Sequence, residues 1–472
     1  MVYNDKNSLL EAVKKAVEVE GRKVKVCDIG VVRERIIDDL VYTANLSEDS
    51  QTKKTAQFLI WEIAKSSGVY VASVQELYEA RGRGEISGFT VPAVNMRVLT
   101  YDMARAIIRA AIKINCGAFI FEIAKSEIGY TNQRPAEYTC FCLAAAVKEG
   151  FQCPLFIQGD HFQVKAKNYI DNPKKELDGI KTLMREAVSA GFLNIDIDSS
   201  TLVDLNKTDI IEEQRLNYEV CAELTKYIRE IQPEGINISI GGEIGEVGGK
   251  NSTPEELNAF MDNYLKLLPC GMKSISKISI QTGTSHGGVV LPDGSIAKVK
   301  LDFDTLKKLS DLARNKYAMS GAVQHGASTL PKEAFHKFPE VEAAEVHLAT
   351  QFQNMVYDSS NFSQELKEKI YRWIKKECAD EKKEDDTDEQ FIYKTRKKAV
   401  GPFKKDIMNL PNDQRSMIGR ELEEMFDFLF KQLKVMDTRD IVVKYISRKE
   451  LPFPVPIKGE HNDAEVDYEG AD

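Results

Sequence analysis

The feature that most limits how this chain can fold is an alternation in its middle between short β-rich apolar runs and longer segments with helical spacing. The runs lie at residues 88–95 (GFTVPAVN), 118–124 (AFIFEIA), 154–160 (PLFIQGD), 192–198 (FLNIDID), 237–243 (NISIGGE), 277–284 (KISIQTGT), 317–325 (YAMSGAVQH) and 341–350 (VEAAEVHLAT). Between them stand segments such as YDMARAIIRAAIKI, LDGIKTLMREAVSA, EELNAFMDNYLKLL and DTLKKLSDLARNK, whose apolar residues recur at helical intervals. Strands that alternate with helices imply a parallel sheet, and eight such strands suit a closed (β/α)₈ TIM barrel of the α/β class. An open, doubly wound sheet is the alternative, but no glycine-rich dinucleotide turn follows the first run. The eighth run is the least decided, because VEAAEVHLAT also fits a helix.

A barrel takes roughly 250 residues, so a chain of 472 carries additions. Residues 1–80 are expected to form a helical N-terminal extension across the barrel's N-terminal side, from NSLLEAVKKAVEV, TAQFLIWEIAKSSG and SVQELYEARGRG. Residues 81–356 are the barrel, and 357–458 a helical, charged C-terminal extension. In that extension WIKKECADEKKEDDTDEQFIYKTRKK is a mixed-charge run expected to be solvated. The stripe Leu422, Met425, Phe426, Leu429, Phe430 and Leu433 is expected to pack on its own chain. The acidic end, 459–472, is expected to be disordered.

Composition narrows the functional classes. A hydrophobic content of 43% with 29% charged residues is that of a soluble globular protein. No apolar run approaches the roughly 20 residues that span a bilayer, and the start lacks the apolar core of a signal peptide. We therefore expect a cytoplasmic protein without membrane contact. A formal charge of −9 argues against a nucleic-acid partner, although local loops can still capture a small anionic ligand. The eight cysteines (27, 116, 140, 142, 153, 221, 270 and 378) lack the paired spacing of a zinc ribbon and read as reduced thiols.

Histidine is scarce, with six in the chain. Three sit where a strand gives way to its loop: His161 in IQGDHFQ, His286 in QTGTSHGGV and His325 in AVQHGAS. The C-terminal ends of barrel strands converge on one mouth, so these imidazoles are aimed at a common centre. Three histidines with an open fourth position suit catalytic zinc. Gly287, Gly288 and Gly326 would let backbone N–H groups approach a bound anion. His336 and His461 read as surface residues.

Asp160 precedes His161, and two roles are equally open to it at this point. It can move a proton to or from a substrate oxygen, or it can fix a histidine tautomer. Asp198 and Glu243 end the fourth and fifth strands, where carboxylates at the shared mouth suggest a second, more mobile cation, divalent or monovalent. Asp196 and Glu246 are less favoured.

These strand-end residues resemble the class II, zinc-dependent ketose-bisphosphate aldolases, the fructose- and tagatose-bisphosphate aldolase family. The similarity runs from about Val74 to about Thr350 and rests on VPAVN, GDH, GFLNIDIDSS, EIGEVGG, GTSHGG and QHGAS in order. The resemblance implies zinc on His161, His286 and His325, Asp160 as the proton-transfer residue, and Glu243 and Asp198 at an alternate metal site. It implies reversible aldol cleavage of a phosphorylated ketose, with fructose 1,6-bisphosphate first to be tried, and a homo-oligomer. It places a substrate phosphate near Gly287, Gly288, Gly326, Ser328, His347 and Thr350. The substrate-gripping half departs from the family pattern. His347-Leu348-Ala349-Thr350 stands where the family carries Asn-x-Asp-Thr, Ala124 replaces a serine unless Ser126 substitutes, and Gly241 replaces one of two glutamates. His347 reads as a donor to an anion in preference to an extra ligand. No lysine is expected at the inner ends of the strands, consistent with chemistry that needs no Schiff base. The alternatives are a non-catalytic barrel subunit that stabilises a partner aldolase, or an aldolase for another sugar, unphosphorylated ketoses included. A hydrolase of the amidohydrolase type would need a His-x-His pair on the first strand, which VPAVN lacks.

Overall fold

All eight apolar runs contain strands, short and fully enclosed because each is covered on one face by helices and on the other by the barrel interior. They are β1 (Val91–Asn95), β2 (Ile120–Ala124), β3 (Pro154–Gln163), β4 (Asn194–Asp198), β5 (Ser239–Glu243), β6 (Lys277–Ile280), β7 (Ala322–Gln324) and β8 (Glu345–Leu348). The computed structural model describes residues 1–245, 249–283, 291, 301–449, 451–453 and 466–468. Every neighbouring pair is parallel, β8 pairs with β1, and β3 pairs with β4, so the sheet closes into the expected barrel. The eighth run resolves as a strand, with Glu345 to Leu348 in register with Val91 to Val94.

The N-terminal 80 residues depart from the all-helical expectation. VEVE and KVKV form an antiparallel hairpin, Val17–Glu20 with Lys23–Val26. The period-two valines decide it, and Gly21 supplies the turn at φ +62°. Tyr70–Ala72 adds a short parallel strand beside the start of β3. The Asn194 amide stitches that seam, bonding Ala72 O and Ile157 O while its oxygen accepts from the Val74 N–H. The helix Gln75–Gly82 then covers the barrel's N-terminal side. Its Tyr78 hydroxyl reaches Glu345 at the foot of β8, and buried Arg81 bonds the carbonyls of Phe89 and Ala343. The helices Ile37–Leu46 and Ser50–Ser66 pack instead on the outer helix Pro135–Glu149.

The C-terminal helix Asn412–Gln432 buries its apolar stripe on the chain itself, against the helix Thr100–Lys113. Leu422, Phe426, Leu429, Phe430 and Leu433 are at most 1% exposed, so these five of the stripe are spent on the chain's own packing, with Met425 partly buried beside them. Three residues of the acidic tail also dock on the barrel. Asp467 accepts from Lys165 Nζ (2.9 Å) and Asn168 Nδ2 (2.8 Å), and Arg134 lies over the Tyr468 ring.

Candidate metal centre at the barrel mouth

The strand β3 does not run straight to its end. Gly159 pairs with Ile195 but Phe162 pairs with Ile197, so two residues, Asp160 and His161, stand opposite one. Such a bulge re-aims side chains, and here it turns both toward the mouth although they are adjacent. His161 takes φ +39° to do so, a left-handed conformation that a non-glycine residue adopts at a cost of about 1–3 kcal/mol and that tends to mark functional positions. Gly159 is required beneath the bulge, because a β-carbon there would collide with the Phe162 ring.

The imidazoles of His161 and His325 meet at the mouth with ring centroids 4.3 Å apart. Asp160, His161 and His325 each offer a ligand atom within 4.8 Å of the others, as do His161, Asp198 and Glu243. His161 Nδ1 lies 3.4 Å from Asp198 Oδ2 and 3.5 Å from Glu243 Oε2. Second contacts hold these groups in place. Ser279 Oγ lies 2.9 Å from His325 Nε2, while Gln163 Nε2 (2.6 Å) and Ser200 Oγ (2.8 Å) donate to Asp198. His286, Gly287 and Gly288 lie outside the described residues.

The electrostatics fit a cation. Burial opposes charge on the His161 ring, yet Asp160, Asp198 and Glu243 outweigh it and raise its pKa well above the usual value. Burial and the charge of Asp198 push Glu243 well above the carboxylate range. Asp198 is held below that range, because the bonds from His161, Gln163 and Ser200 overcome its burial. A crowded, enclosed carboxylate–imidazole set of this kind binds protons when no metal is present, and it is the donor chemistry that zinc and similar ions take. Asp160 Oδ1 is buried without a hydrogen bond, the condition of a ligand atom short of its partner.

On the opposite side, Gly326 turns the chain at φ +67° after β7, and Ser328 Oγ accepts from the Ala349 N–H at 2.8 Å. This bond ties the β7 and β8 loops together next to Thr350, which opens the helix Thr350–Asp358. Phosphate sites of barrel enzymes often sit on the loops after strands seven and eight.

Two expectations need correction. His347 does not offer a free N–H to a phosphate. It is buried one level below the mouth, its ring 4.1 Å from that of His325, and both of its nitrogens face carboxylates. Nδ1 is 3.1 Å from Glu122 and 3.3 Å from Asp160, and Nε2 is 2.9 Å from Glu345. An anion there would meet like charge. The strands also carry lysine. Lys277 is enclosed inside the barrel, contacting Glu345 (2.6 Å), Gln158 (2.7 Å) and Asp196 (3.0 Å). Burial lowers its pKa, but the carboxylates of Asp196 and Glu345 raise it further, so it stays an ammonium and not a nucleophile. Lys125, just beyond β2, is buried and donates to Gln163 O at 2.6 Å.

Sequence reasoning missed this inner layer of Glu122, Gln158, Lys277 and Glu345, and ranked Asp196 low. The signal was a charged or amide residue inside each apolar run: IFEIA, LFIQG, SKISI and AEVHL. Gly241 belongs to the same layer, since a β-carbon on it would strike Asp196 Oδ1 and approach Lys277 Cε to 2.9 Å.

A fructose-bisphosphate aldolase from Campylobacter jejuni shares 17% identity, covering 78% of this chain and 96% of its own, at a TM-score of 0.48. The fructuronate-tagaturonate epimerase UxaE from Cohnella laeviribosi shares 12% identity, covering 91% of this chain and 88% of its own, at a TM-score of 0.50. At 12% identity the likeness to the epimerase is one of fold. No curated protein matches by sequence. The family model described as fructose-bisphosphate aldolase class-II matches residues 76–414, the whole barrel and much of the C-terminal extension, and the chain therefore belongs to the class II fructose-bisphosphate aldolase family.

Proposed function

We propose that this protein catalyses metal-dependent, reversible aldol cleavage of a ketose, with fructose 1,6-bisphosphate, yielding two triose phosphates, the first substrate to test. The observation that carries the reading is the convergence of Asp160, His161 and His325 within 4.8 Å at the barrel mouth. His161 and His325, with His286, would hold zinc, which supplies Lewis acidity toward a substrate carbonyl when bound. Asp198 and Glu243 would form an alternate position beside His161 for that same ion, or for a monovalent cation.

The chain's own residues supply the rest. Burial disfavours charge on Asp160, but His161, His347 and His325 outweigh it and hold the carboxyl ionised. An ionised carboxylate at this place can take the proton of the hydroxyl on the carbon that leaves as the aldehyde when the carbon–carbon bond breaks, and return it in condensation. The tied β7 and β8 loops, with Gly326, Ser328 and Thr350, offer backbone N–H groups and a helix start to a phosphate. The barrel would act as a homo-oligomer in the cytoplasm.

A second reading has specific support: the similarity to the epimerase extends over 91% of this chain, additions included. A site that cleaves a carbon–carbon bond, keeps both fragments and rejoins them on the other face inverts that carbon, so it epimerises. The loss of the family's Asn-x-Asp-Thr grip favours an unphosphorylated sugar acid in this case.

Product analysis separates the two. Incubation with fructose 1,6-bisphosphate should release triose phosphate in a coupled assay, and Asp160→Ala should abolish turnover while the histidines keep their zinc. Unchanged activity in that variant would remove Asp160 from its role. Interconversion of hexuronate epimers without free trioses would select the second reading. Protein that binds no divalent ion would favour the non-catalytic partner subunit instead.

A further inference from the structure

A barrel interior is ordinarily filled by branched apolar side chains, yet here four buried carboxylates stand at or just below the mouth: Glu122, Asp160, Asp196 and Glu345. Lys277 lies among them, and its ammonium is already divided between Glu345, Asp196 and the amide oxygen of Gln158. At Glu122 the Oε2 atom accepts from the Gln158 amide (3.2 Å) and faces His347, while Oε1, fully buried, makes no hydrogen bond. A buried carboxylate oxygen without a partner is costly and calls for an explanation.

His347 sharpens the problem. Its Nε2 lies 2.9 Å from Glu345, a carboxylate that can only accept while ionised, so Nε2 carries the proton. The other nitrogen, Nδ1, points at Glu122 Oε2 (3.1 Å) and Asp160 Oδ1 (3.3 Å). Neither Nδ1 nor Asp160 Oδ1 makes a hydrogen bond, so two enclosed atoms beside Glu122 stand without a partner. Ligand atoms about 2.0–2.1 Å from a tetrahedral ion stand about 3.4 Å from one another, close to the spacing seen. Glu122, Asp160 and His347 also place their ligand atoms within 4.8 Å of each other.

We propose that the barrel holds a second divalent cation, below the mouth, on Glu122, Asp160 and His347, with Asp160 shared between it and the mouth ion. The shared ligand rests on the mouth reading above; the inner site itself does not. One imidazole with two carboxylates suits a first-row ion such as Zn²⁺ or Mn²⁺. Asp160 Oδ1 is placed for sharing, 3.3 Å from His347 Nδ1 and 3.9 Å from His161 Nε2. Two ions joined by one carboxylate form a paired centre of the kind that clamps two substrate oxygens at once, which fits a ketose bearing a carbonyl beside a hydroxyl. His347 is then a ligand, and its replacement of the family's asparagine gains a reason.

The test uses the full chain, stripped with a chelator, reloaded with Mn²⁺, and read by elemental analysis and electron paramagnetic resonance. Wild-type protein should bind two equivalents with an exchange-coupled spectrum. Glu122→Gln and, separately, His347→Asn should each bind one, uncoupled, with circular dichroism verifying the fold. His325→Ala should keep one, the inner ion. A wild type that binds one equivalent, unaltered by Glu122→Gln, overturns the inner site and leaves the mouth intact, with imidazolium filling the gap at His347. One equivalent lost in Glu122→Gln but kept in His325→Ala would support the inner site and overturn the mouth.

Discussion

The two polar layers of the barrel use the same acidic residue types but neutralise them differently. At the mouth, Asp198 and Glu243 lean on His161 at 3.4 and 3.5 Å, and an imidazole can give up its proton and turn to a metal. At the foot, Glu345 and Asp196 lean on Lys277 at 2.6 and 3.0 Å, and an enclosed ammonium cannot. The first arrangement is exchangeable and suits chemistry; the second is fixed and suits holding eight strands in register. His347 stands between them, its Nε2 facing the fixed layer and its Nδ1 the exchangeable one.

The largest expected effect tests the fixed layer. Lys277→Met keeps the stem but leaves Glu345 and Asp196 without their ammonium, and breaking a buried pair from one side costs about 3–5 kcal/mol. Chemical denaturation should show that loss, with mouth metal content unchanged. Full stability in this variant would show that the inner carboxylates do not depend on Lys277, and the contrast between layers would fall. The reverse substitution is His325→Ala. It should weaken mouth metal affinity at least about 100-fold, or about 2.7 kcal/mol, and remove activity with it. The metal-free protein should melt as wild type does. Equal loss of stability would make the mouth histidines structural.

Gly241→Ala probes how tightly the fixed layer is packed. A β-carbon there meets Asp196 Oδ1 and Lys277 Cε, so we expect about 1–3 kcal/mol of destabilisation from overpacking, measured by thermal unfolding. A neutral result would mean that Asp196 and Lys277 are free to move, contrary to an enclosed pair.

The two layers were not equally legible in the sequence. The strands could be read because their apolar runs have the right length and recur between helical segments. His161 and His325 could be read because a polar residue at a strand end has one destination in a barrel. Strand parity alone would have sent Asp160 and His161 to opposite faces; the bulge that unites them is set by Phe162 folding over Gly159, a contact no linear pattern reveals. Glu122, Lys277 and Glu345 were hidden for a different reason. A single charge inside an apolar run is ordinarily read as noise on a strand, and only closure of the barrel shows that these charges face one another. The hairpin at Val17–Val26 was hidden because VEVE follows a helix without a proline or glycine to separate them.

The smallest effect sharpens the comparison most, because it alters the mouth without touching a ligand. Ser279 Oγ lies 2.9 Å from His325 Nε2 and holds the ring's tautomer and angle, and removing such a partner weakens metal binding about 10–100-fold. Near the lower limit, Ser279→Ala should raise the zinc dissociation constant about 10-fold, or about 1.4 kcal/mol, read by competition with a chromophoric chelator. Activity at saturating zinc should recover, since the ligands themselves are intact. Threonine at the same position restores the hydroxyl and should restore the affinity. If alanine and threonine bind zinc alike, the hydroxyl does not orient His325, and the exchangeable layer owes its geometry to the bulge in β3 alone.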